Sequence, residues 1–158
     1  MHAEHILVLE DTKLVRHLLC SRFEGEGYEV TGTGKITDAL QAVRAKMPDL
    51  VILDLALHEE EPDGGLTDGL AFLSLLRRIH RQVEIPVVIY SANRSPKVTA
   101  RALSMGAAAV IDKKGDLSAL LSAVRSALEA RKSKQTSQPA ASAVPEGSLN
   151  PAQKSVSA

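Results

Sequence analysis

Polar residues that could bind a metal ion or act on a phosphoryl group follow four short apolar runs of the sequence. The runs and the residues after them are Ile6–Leu9 with Glu10 and Asp11, Leu50–Leu53 with Asp54, Val87–Tyr90 with Ser91, and Ala109–Ile111 with Lys113. Carboxylates bind hard divalent cations, and a carboxylate can also act as a nucleophile. A lysine and a hydroxyl can hold phosphoryl oxygens. If these side chains meet, they would form a phosphoryl-transfer site that works mostly by positioning.

Each of these residues, taken alone, also has an ordinary structural explanation. An acid after a strand often caps a helix or lies exposed in a loop, and a lone lysine is usually solvated. The chemistry is therefore predicted from the convergence of the set, which depends on the elements that position it.

The elements are indicated by apolar patterns along the chain. The four runs, and a fifth over Tyr28–Thr31, are nearly continuous, as is typical of parallel strands covered on both faces. Apolar residues between the runs recur at helical spacing. These helical patterns cover Leu14–Leu19, Ile36–Val43, Leu70–Leu76, Val98–Met105 and Leu117–Leu128. The alternation predicts a (βα)₅ α/β domain, a doubly wound parallel five-stranded sheet with helices on both faces.

In such a sheet the carboxyl ends of the strands share one edge, where ligands bind. Glu10, Asp11 and Asp54 would place their carboxylates in one crevice, where mutual repulsion raises a pKa unless cations neutralise the charge. Lys113 brings only one positive charge. We therefore predict Mg²⁺, which suits carboxylates, a carbonyl and retained waters. Asp54 would be the nucleophile, and Ser91 and Lys113 would hold the other phosphoryl oxygens.

The composition of the 158-residue chain argues against several other functions. Apolar residues make up 44%, enough for one core, and 19 basic residues balance 19 acidic ones, so no overall charge favours nucleic acid or an anionic membrane. The sequence starts without the basic and apolar stretches of an export signal, and no apolar run approaches the ~20 residues of a membrane helix. We expect a cytoplasmic protein without membrane contact. Cys20 is the only cysteine, so no internal disulfide is expected.

The composition also changes along the chain. Residues 1–131 are predicted to form the domain, whereas residues 132–158 are rich in Ser, Ala, Pro and Gln without an apolar period and are predicted to be a disordered tail. The tail is too short and too polar for a helix-turn-helix module, so no DNA binding by this chain is expected.

The ordered set of motifs resembles the receiver domains of two-component response regulators, including the single-domain chemotaxis type. The motifs are Ile6–Asp11 with the acidic pair, Leu50–Asp54 with the acceptor, Val88–Ala92 with the hydroxyl, and Gly106–Lys113 with the lysine. The resemblance covers about residues 4 to 130. It implies a flavodoxin-like fold with strand order 2-1-3-4-5.

The resemblance also implies a role for each residue. Mg²⁺ would be bound by Asp11 and Asp54, through water by Glu10, and by the main-chain carbonyl of Ala56. Asp54 would accept a phosphoryl group from a phosphohistidine on a sensor histidine kinase or a histidine phosphotransfer protein. Ser91 would move toward that group and transmit its presence to the face formed by the fourth helix, fifth strand and fifth helix.

These implications predict a stand-alone receiver that signals by contact with an unknown downstream protein, or serves as a phosphate sink or relay. Phosphorylation could also drive dimerisation. We do not expect an enzyme beyond self-phosphorylation and autodephosphorylation. Two alternatives stay open: a phosphate-independent interaction module with a receiver fold, and a flavodoxin-like or nucleotide-binding domain, since one fold hosts many functions.

Several positions depart from the pattern of the family. Val110 stands where an aromatic switch residue is common, and Ala56 stands where many members carry a polar side chain. The acidic stretch His58–Leu66 lengthens the loop after the acceptor, which we interpret as a solvated loop or as a recognition loop for a basic partner. Gly32-Thr33-Gly34 only partly matches a phosphate-binding loop and is interpreted as a turn.

Overall fold

The computed structural model describes residues 2–57, 68–92 and 95–137, in which strands and helices alternate along the chain. The strands are β1 (His5–Leu9), β2 (Glu29–Thr33), β3 (Leu50–Leu53), β4 (Val87–Ser91) and β5 (Ala109–Asp112). The helices are α1 (Lys13–Gly25), α2 (Ile36–Ala45), α3 (Gly69–Ile79), α4 (Pro96–Ser104) and α5 (Leu117–Ser137). The predicted (βα)₅ order is confirmed.

The strands form one parallel sheet in the order β2-β1-β3-β4-β5. This is the predicted doubly wound, flavodoxin-like topology. β2 continues to Thr33, two residues beyond the apolar run, because its pairing with β1 includes Val8 opposite Gly32 and Leu9 opposite Thr33. Since all strands run in one direction, all of their carboxyl ends lie at the same edge of the sheet.

The sheet separates two hydrophobic clusters, and the strand residues alternate between them as the two-residue period of a strand requires. On one face, Leu7, Val51 and Ile89 pack with buried residues of α2, α3 and α4. On the other face, Val8 and Ile52 pack with buried residues of α1 and α5. The central strands β1, β3 and β4 are buried throughout, which explains their continuous apolar sequences.

The helix ends follow the expected local chemistry. The Asp68 side chain accepts a hydrogen bond from the Leu70 amide (3.0 Å), and Ser95 accepts one from Val98 (3.3 Å) with Pro96 in the first turn. Gly106, which follows α4, has a φ of 95°, a left-handed conformation that favours glycine. Within the described residues no helix is long and apolar enough to cross a membrane.

The last helix continues to Ser137, six residues beyond the domain boundary predicted at Arg131. The structure thus assigns residues 132–137 of the predicted tail to a helix, and residues 138–158 lie outside the described part of the chain. Exposed ion pairs of Lys132 with Glu4 (2.9 Å) and Lys134 with Glu84 (3.0 Å) accompany the additional turns.

A second group of polar contacts lies at the opposite, amino-terminal edge of the sheet. The His5 amide donates to the Asp49 carboxylate (2.7 Å), the Asp49 amide donates to the His5 carbonyl (2.7 Å), and Arg131 pairs with the same carboxylate. Burial raises the pKa of Asp49, but the bonds from His5 and Arg131 outweigh it and hold that pKa below its ordinary value of 3.8. We call these three residues the amino-edge clamp, because they join β1, the start of β3 and α5.

Candidate functional site

The carboxyl ends of β1 and β3 place two carboxylates side by side. Leu9 is paired with Leu53, so Glu10 and Asp54 leave neighbouring strands at the same level. The Asp54 amide still donates to the Leu9 carbonyl (3.0 Å). The backbone of both residues is therefore fixed by the sheet rather than by a free loop.

Asp11 completes a group of three carboxylates. One oxygen each from Glu10, Asp11 and Asp54 lies within 4.8 Å of the others. Glu10 is 1% and Asp54 4% exposed, whereas Asp11 is partly buried. Buried like charges at such separations require a positive partner.

Lys113 supplies that partner from the end of β5. Its Nζ donates to Glu10 Oε2 (2.5 Å) and to Asp54 Oδ2 (2.8 Å). Burial lowers the pKa of Lys113, but its bonds to Asp54 and Glu10 outweigh burial, so the pKa is raised and the ammonium form is favoured. The ammonium also lies 5.9 Å from the centre of the Tyr90 ring, within reach of a cation–π interaction. We call Glu10, Asp11, Asp54 and Lys113 the acidic crevice.

Glu10 is held on both of its carboxylate oxygens. Oε1 accepts a hydrogen bond from the Thr12 amide (3.0 Å), and Oε2 accepts from Lys113. Burial raises the pKa of Glu10, and the nearby charge of Asp54 adds to the increase, while Lys113 and the Thr12 amide oppose it. The net pKa is above the ordinary value of 4.5, so additional positive charge in the acidic crevice would stabilise the ionised form.

Ser91 lies at the end of β4 and is fully buried. It is paired with Asp112 in the neighbouring strand, and its carbonyl accepts a hydrogen bond from the Lys113 amide (3.1 Å). The predicted hydroxyl thus lies at the end of β4, next to β3, and the predicted lysine directly follows β5, on the far side of β4. Val110 is half-buried and packs against the cluster beneath α2, α3 and α4.

Ala56 lies two residues after the acceptor Asp54, beyond the end of β3. Its amide donates to Asp54 Oδ1 (3.1 Å), while Lys113 donates to the other oxygen, Oδ2, so both oxygens of the carboxylate are held. Ala56 also forms an isolated antiparallel bridge with Asp68, which closes the base of the loop that contains His58–Leu66. The predicted acidic stretch itself lies outside the described residues.

The start of α3 approaches the acceptor closely at Gly69. The Gly69 amide donates to the Leu55 carbonyl (3.2 Å), and a Cβ atom at Gly69 would lie 2.3 Å from the Asp54 carbonyl oxygen. The helical pattern over Leu70–Leu76 predicted this helix but not the contact. The Asp-Gly pair at a helix start was the only available signal.

Arg16 makes a second set of contacts that the sequence did not predict. Its guanidinium donates to the main-chain carbonyls of Glu10 (2.8 Å) and Asp11 (3.3 Å). No pattern in the sequence distinguishes it from a solvated basic residue on a helix. His17, the next residue, is exposed on α1.

The acidic crevice fits a divalent cation. Three carboxylates and one ammonium leave two negative charges in the group. Two ligands of one Mg²⁺ bind at about 2.0–2.1 Å and so lie at most about 4.2 Å apart. The three carboxylate oxygens lie up to 4.8 Å apart, so they could bind one ion after moving by less than one ångström, or with one of them binding through a water. An oxygen-only donor set of this charge matches Mg²⁺ or another hard cation.

Together, the doubly wound sheet and the acidic crevice define a class of α/β signalling domain. A model of the response regulator receiver domain matches residues 6–125. The chain belongs to the response regulator receiver domain family. Members of this family are phosphorylated on an aspartate, generally bind Mg²⁺ through acidic residues, and interact with histidine kinases or phosphotransfer proteins.

Individual relatives agree with this assignment. The chain is 30% identical to the nitrogen assimilation regulatory protein NtrX of Azorhizobium caulinodans, over 87% of this chain and 30% of NtrX. It is 31% identical to the KDP operon transcriptional regulatory protein KdpE of Escherichia coli, over 78% of this chain and 51% of KdpE. The crystal structure of the receiver domain of NtrX from Brucella abortus has a TM-score of 0.69 at 31% identity, covering 78% of this chain and 98% of that one. The chain therefore spans about half or less of the two regulators it matches.

Proposed function

We propose that this receiver accepts a phosphoryl group on Asp54 in a reaction that depends on Mg²⁺ bound in the acidic crevice. The observation that carries the proposal is the double contact of Lys113 with Glu10 and Asp54, in a group that also includes Asp11. Lys113 alone leaves the group negatively charged, so the crevice is set up for a cation and for the oxygens of an incoming phosphoryl group.

In the proposed reaction, a carboxylate oxygen of Asp54 attacks phosphorus in line with the donor's leaving nitrogen. A P–O bond to Asp54 forms as the P–N bond of a phosphohistidine breaks, and the released imidazole takes a proton from water. Bound Mg²⁺ would neutralise charge on the phosphoryl oxygens. Asp11 and Asp54 would ligate it, with Glu10 acting through water and Ala56 through its carbonyl.

The groups that hold the phosphoryl oxygens follow from the strand ends. Lys113 would shift from Asp54 Oδ2 to a phosphoryl oxygen, and the Ser91 hydroxyl would bind another. The bound group would favour one conformation of the face formed by α4, β5 and α5 over another, as a population shift. Because Val110 replaces the common aromatic residue on β5, this response would depend more on Ser91 than on a change of rotamer at Val110.

The donor is a sensor histidine kinase or a histidine phosphotransfer protein, and the output is contact with a downstream protein. Stand-alone signalling, a phosphate sink and onward transfer are three forms of this output. The acidic crevice serves the same acceptor chemistry in all three. Phosphorylation-dependent dimerisation would be one route to an output.

The proposal is tested by phosphorylation with acetyl phosphate. We expect one phosphoryl group per chain by mass spectrometry, present with Mg²⁺ and absent with EDTA. Asp54→Asn should abolish incorporation, whereas Asp38→Asn, at an exposed acid of α2, should leave it unchanged. Ser91→Ala should still accept phosphate but show a weaker conformational response in NMR spectra with beryllofluoride.

Incorporation that survives Asp54→Asn would overturn the assigned acceptor. A wild-type chain that takes up no phosphoryl group and gives no spectral change with beryllofluoride would instead favour a phosphate-independent interaction module. A flavin or nucleotide that copurifies with the protein would favour the third alternative.

A further inference from the structure

The two glycines at the end of β2 leave room for the side chains of α1. A Cβ atom at Gly34 would lie 2.7 Å from Arg16 Nη1, and one at Gly32 would lie 2.7 Å from Cys20 Sγ and 3.2 Å from Arg16 Cγ. Among the described glycines only Gly27 and Gly106 have a positive φ, so space rather than conformation requires these two. Gly32 and Thr33 belong to β2, so the interpretation of Gly32-Thr33-Gly34 as a turn is wrong for these two residues. The segment instead leaves a groove for the Arg16 side chain.

The groove directs the guanidinium toward the metal-binding pair. Arg16 Nη1 donates to the carbonyls of both Glu10 (2.8 Å) and Asp11 (3.3 Å), six and five residues earlier in the chain. The Glu10 amide in turn donates to the Thr33 carbonyl (3.0 Å), inside the glycine segment. The segment that presents both acids is thereby tied to α1 and to the end of β2.

We propose that Arg16 is a positioning residue for the cation site, and that Gly34 is required to admit its guanidinium. The inference rests on the proposed function, since it assumes that Glu10 and Asp11 hold a divalent cation. Arg16 acts through the backbone, because its hydrogen bonds to the main-chain carbonyls of Glu10 and Asp11 fix where the two carboxylates begin. Contacts behind the ligands of a metal site commonly control metal affinity in this way.

A purely electrostatic role and a positioning role for Arg16 predict opposite effects of its removal on Mg²⁺ affinity, so the two roles can be distinguished by experiment. Arg16 is a positive charge close to a cation site, so removing it should strengthen Mg²⁺ binding if only electrostatics mattered. Loss of positioning should weaken binding. Gly34→Ala separates the two effects, because it displaces the guanidinium without changing the charge of the protein.

The test is a double-mutant cycle on the full chain, with Mg²⁺ affinity measured by titration calorimetry. We expect Arg16→Ala and Gly34→Ala each to weaken Mg²⁺ binding by about tenfold. The double variant should bind no worse than Arg16→Ala, since the nearest atom left to the added methyl group is then the Glu10 carbonyl oxygen at 3.8 Å, an ordinary van der Waals contact. Gly25→Ala is the matched control, because its Cβ meets nothing within 4 Å, and it should bind Mg²⁺ as the wild type does.

Urea unfolding in EDTA gives a second readout that needs no metal. If the double variant also loses no more free energy of unfolding than Arg16→Ala alone, the contact between Arg16 and the groove is supported. Tighter or unchanged Mg²⁺ binding in Gly34→Ala, or additive losses in the double variant, would overturn the positioning role while wild-type Mg²⁺ binding upholds the proposed function. A wild-type protein that binds no Mg²⁺ would overturn the proposed function, and the inference with it.

Discussion

Lys113 balances part of the negative charge of the acidic crevice through direct contacts with its carboxylates. Its ammonium bridges two carboxylates that are almost wholly buried, Glu10 and Asp54, while its own side chain is only 20% exposed. A buried pair contributes little net stability, but removing one partner leaves the other charge without compensation. The lysine therefore has a structural role before any phosphoryl group arrives.

We predict that Lys113→Met destabilises the metal-free protein by about 2–4 kcal/mol at pH 7, because two buried carboxylates lose their counter-ion. Urea unfolding in EDTA measures the loss. The deficit should shrink as the pH falls, since protonation of a carboxyl group relieves the repulsion. It should also shrink with Mg²⁺, which replaces the missing charge.

Lys114→Met is the matched control, because Lys114 is the next residue and is exposed. It should change the free energy of unfolding by less than about 0.5 kcal/mol. A Lys113→Met deficit that is the same at pH 4 and pH 7, with and without Mg²⁺, would mean that lost packing rather than lost charge is responsible.

Asp49, at the amino-terminal edge of the sheet, also makes stability depend on pH. Here the cause is a lowered pKa of its own carboxyl group rather than repulsion between buried carboxylates. Its folded pKa lies below the ordinary value of 3.8, so its contribution to stability is present above that pH and is lost as the pH falls through the folded pKa. We predict that Asp49→Asn lowers the free energy of unfolding by roughly 1–2 kcal/mol at pH 7, because its carboxylate is partly exposed. The difference from wild type should decline below about pH 4.

Acid titration of stability, followed by circular dichroism, measures this window. Arg131→Met should reduce the pH dependence of the free energy of unfolding in the same way, since Arg131 is the charge partner of Asp49 in the amino-edge clamp. Parallel pH curves for wild type and Asp49→Asn between pH 2 and pH 5 would contradict the assignment.

At the scale of elements, α3 is held against the acceptor strand by a contact of main chain with main chain. Its first residue, Gly69, donates to the Leu55 carbonyl, and Asp68 before it both caps the helix and pairs with Ala56. The close approach leaves no space for a side chain. α3 thereby fixes the backbone directly after Asp54, where the predicted carbonyl ligand of Ala56 lies.

We predict that Gly69→Ala destabilises the protein by about 1–3 kcal/mol, the usual range for overpacking a buried site. The new methyl group would lie 2.3 Å from the Asp54 carbonyl oxygen and 2.8 Å from Leu55 Cα, and backbone atoms cannot move aside as a flexible side chain can. Phosphorylation by acetyl phosphate should also slow, because the acceptor backbone shifts. Gly25→Ala, with open space around its Cβ, should neither destabilise the protein nor slow phosphorylation; equal losses in the two variants would contradict the steric argument.

The sequence was sufficient for the elements but not for these contacts between them. Continuous apolar runs predict β1, β3 and β4 because both faces of those strands are buried, and the polar residues after them then converge by topology alone. The Arg16 groove and the Gly69 approach could not be predicted, since they depend on distances of a few ångströms between neighbouring elements, which apolar patterns do not encode. α5 passed its predicted end because a Ser- and Lys-rich stretch can continue an existing helix without an apolar period.

At the scale of the whole molecule, the acidic stretch His58–Leu66 is inserted between two segments that the fold holds together. The Ala56–Asp68 bridge and the bond from Gly69 to Leu55 hold both ends together. We predict that replacing His58–Leu66 with two glycines changes the free energy of unfolding by less than about 1 kcal/mol, because shortening a closed loop costs or gains little. Phosphorylation by acetyl phosphate, a donor too small to contact the loop broadly, should be unchanged.

Transfer from a histidine kinase is where the loop is expected to matter. If the acidic stretch recognises a basic partner, changing Glu59, Glu60 and Glu61 to Gln at constant length should reproduce the effect of the glycine replacement on the transfer rate. The difference from wild type should also diminish at high salt, since screening weakens charge-based encounter. A glycine variant with normal rates from every kinase would make the stretch a solvated loop. If the glycine replacement changes the transfer rate and the glutamine variant does not, recognition depends on the length or shape of the loop rather than on its charge.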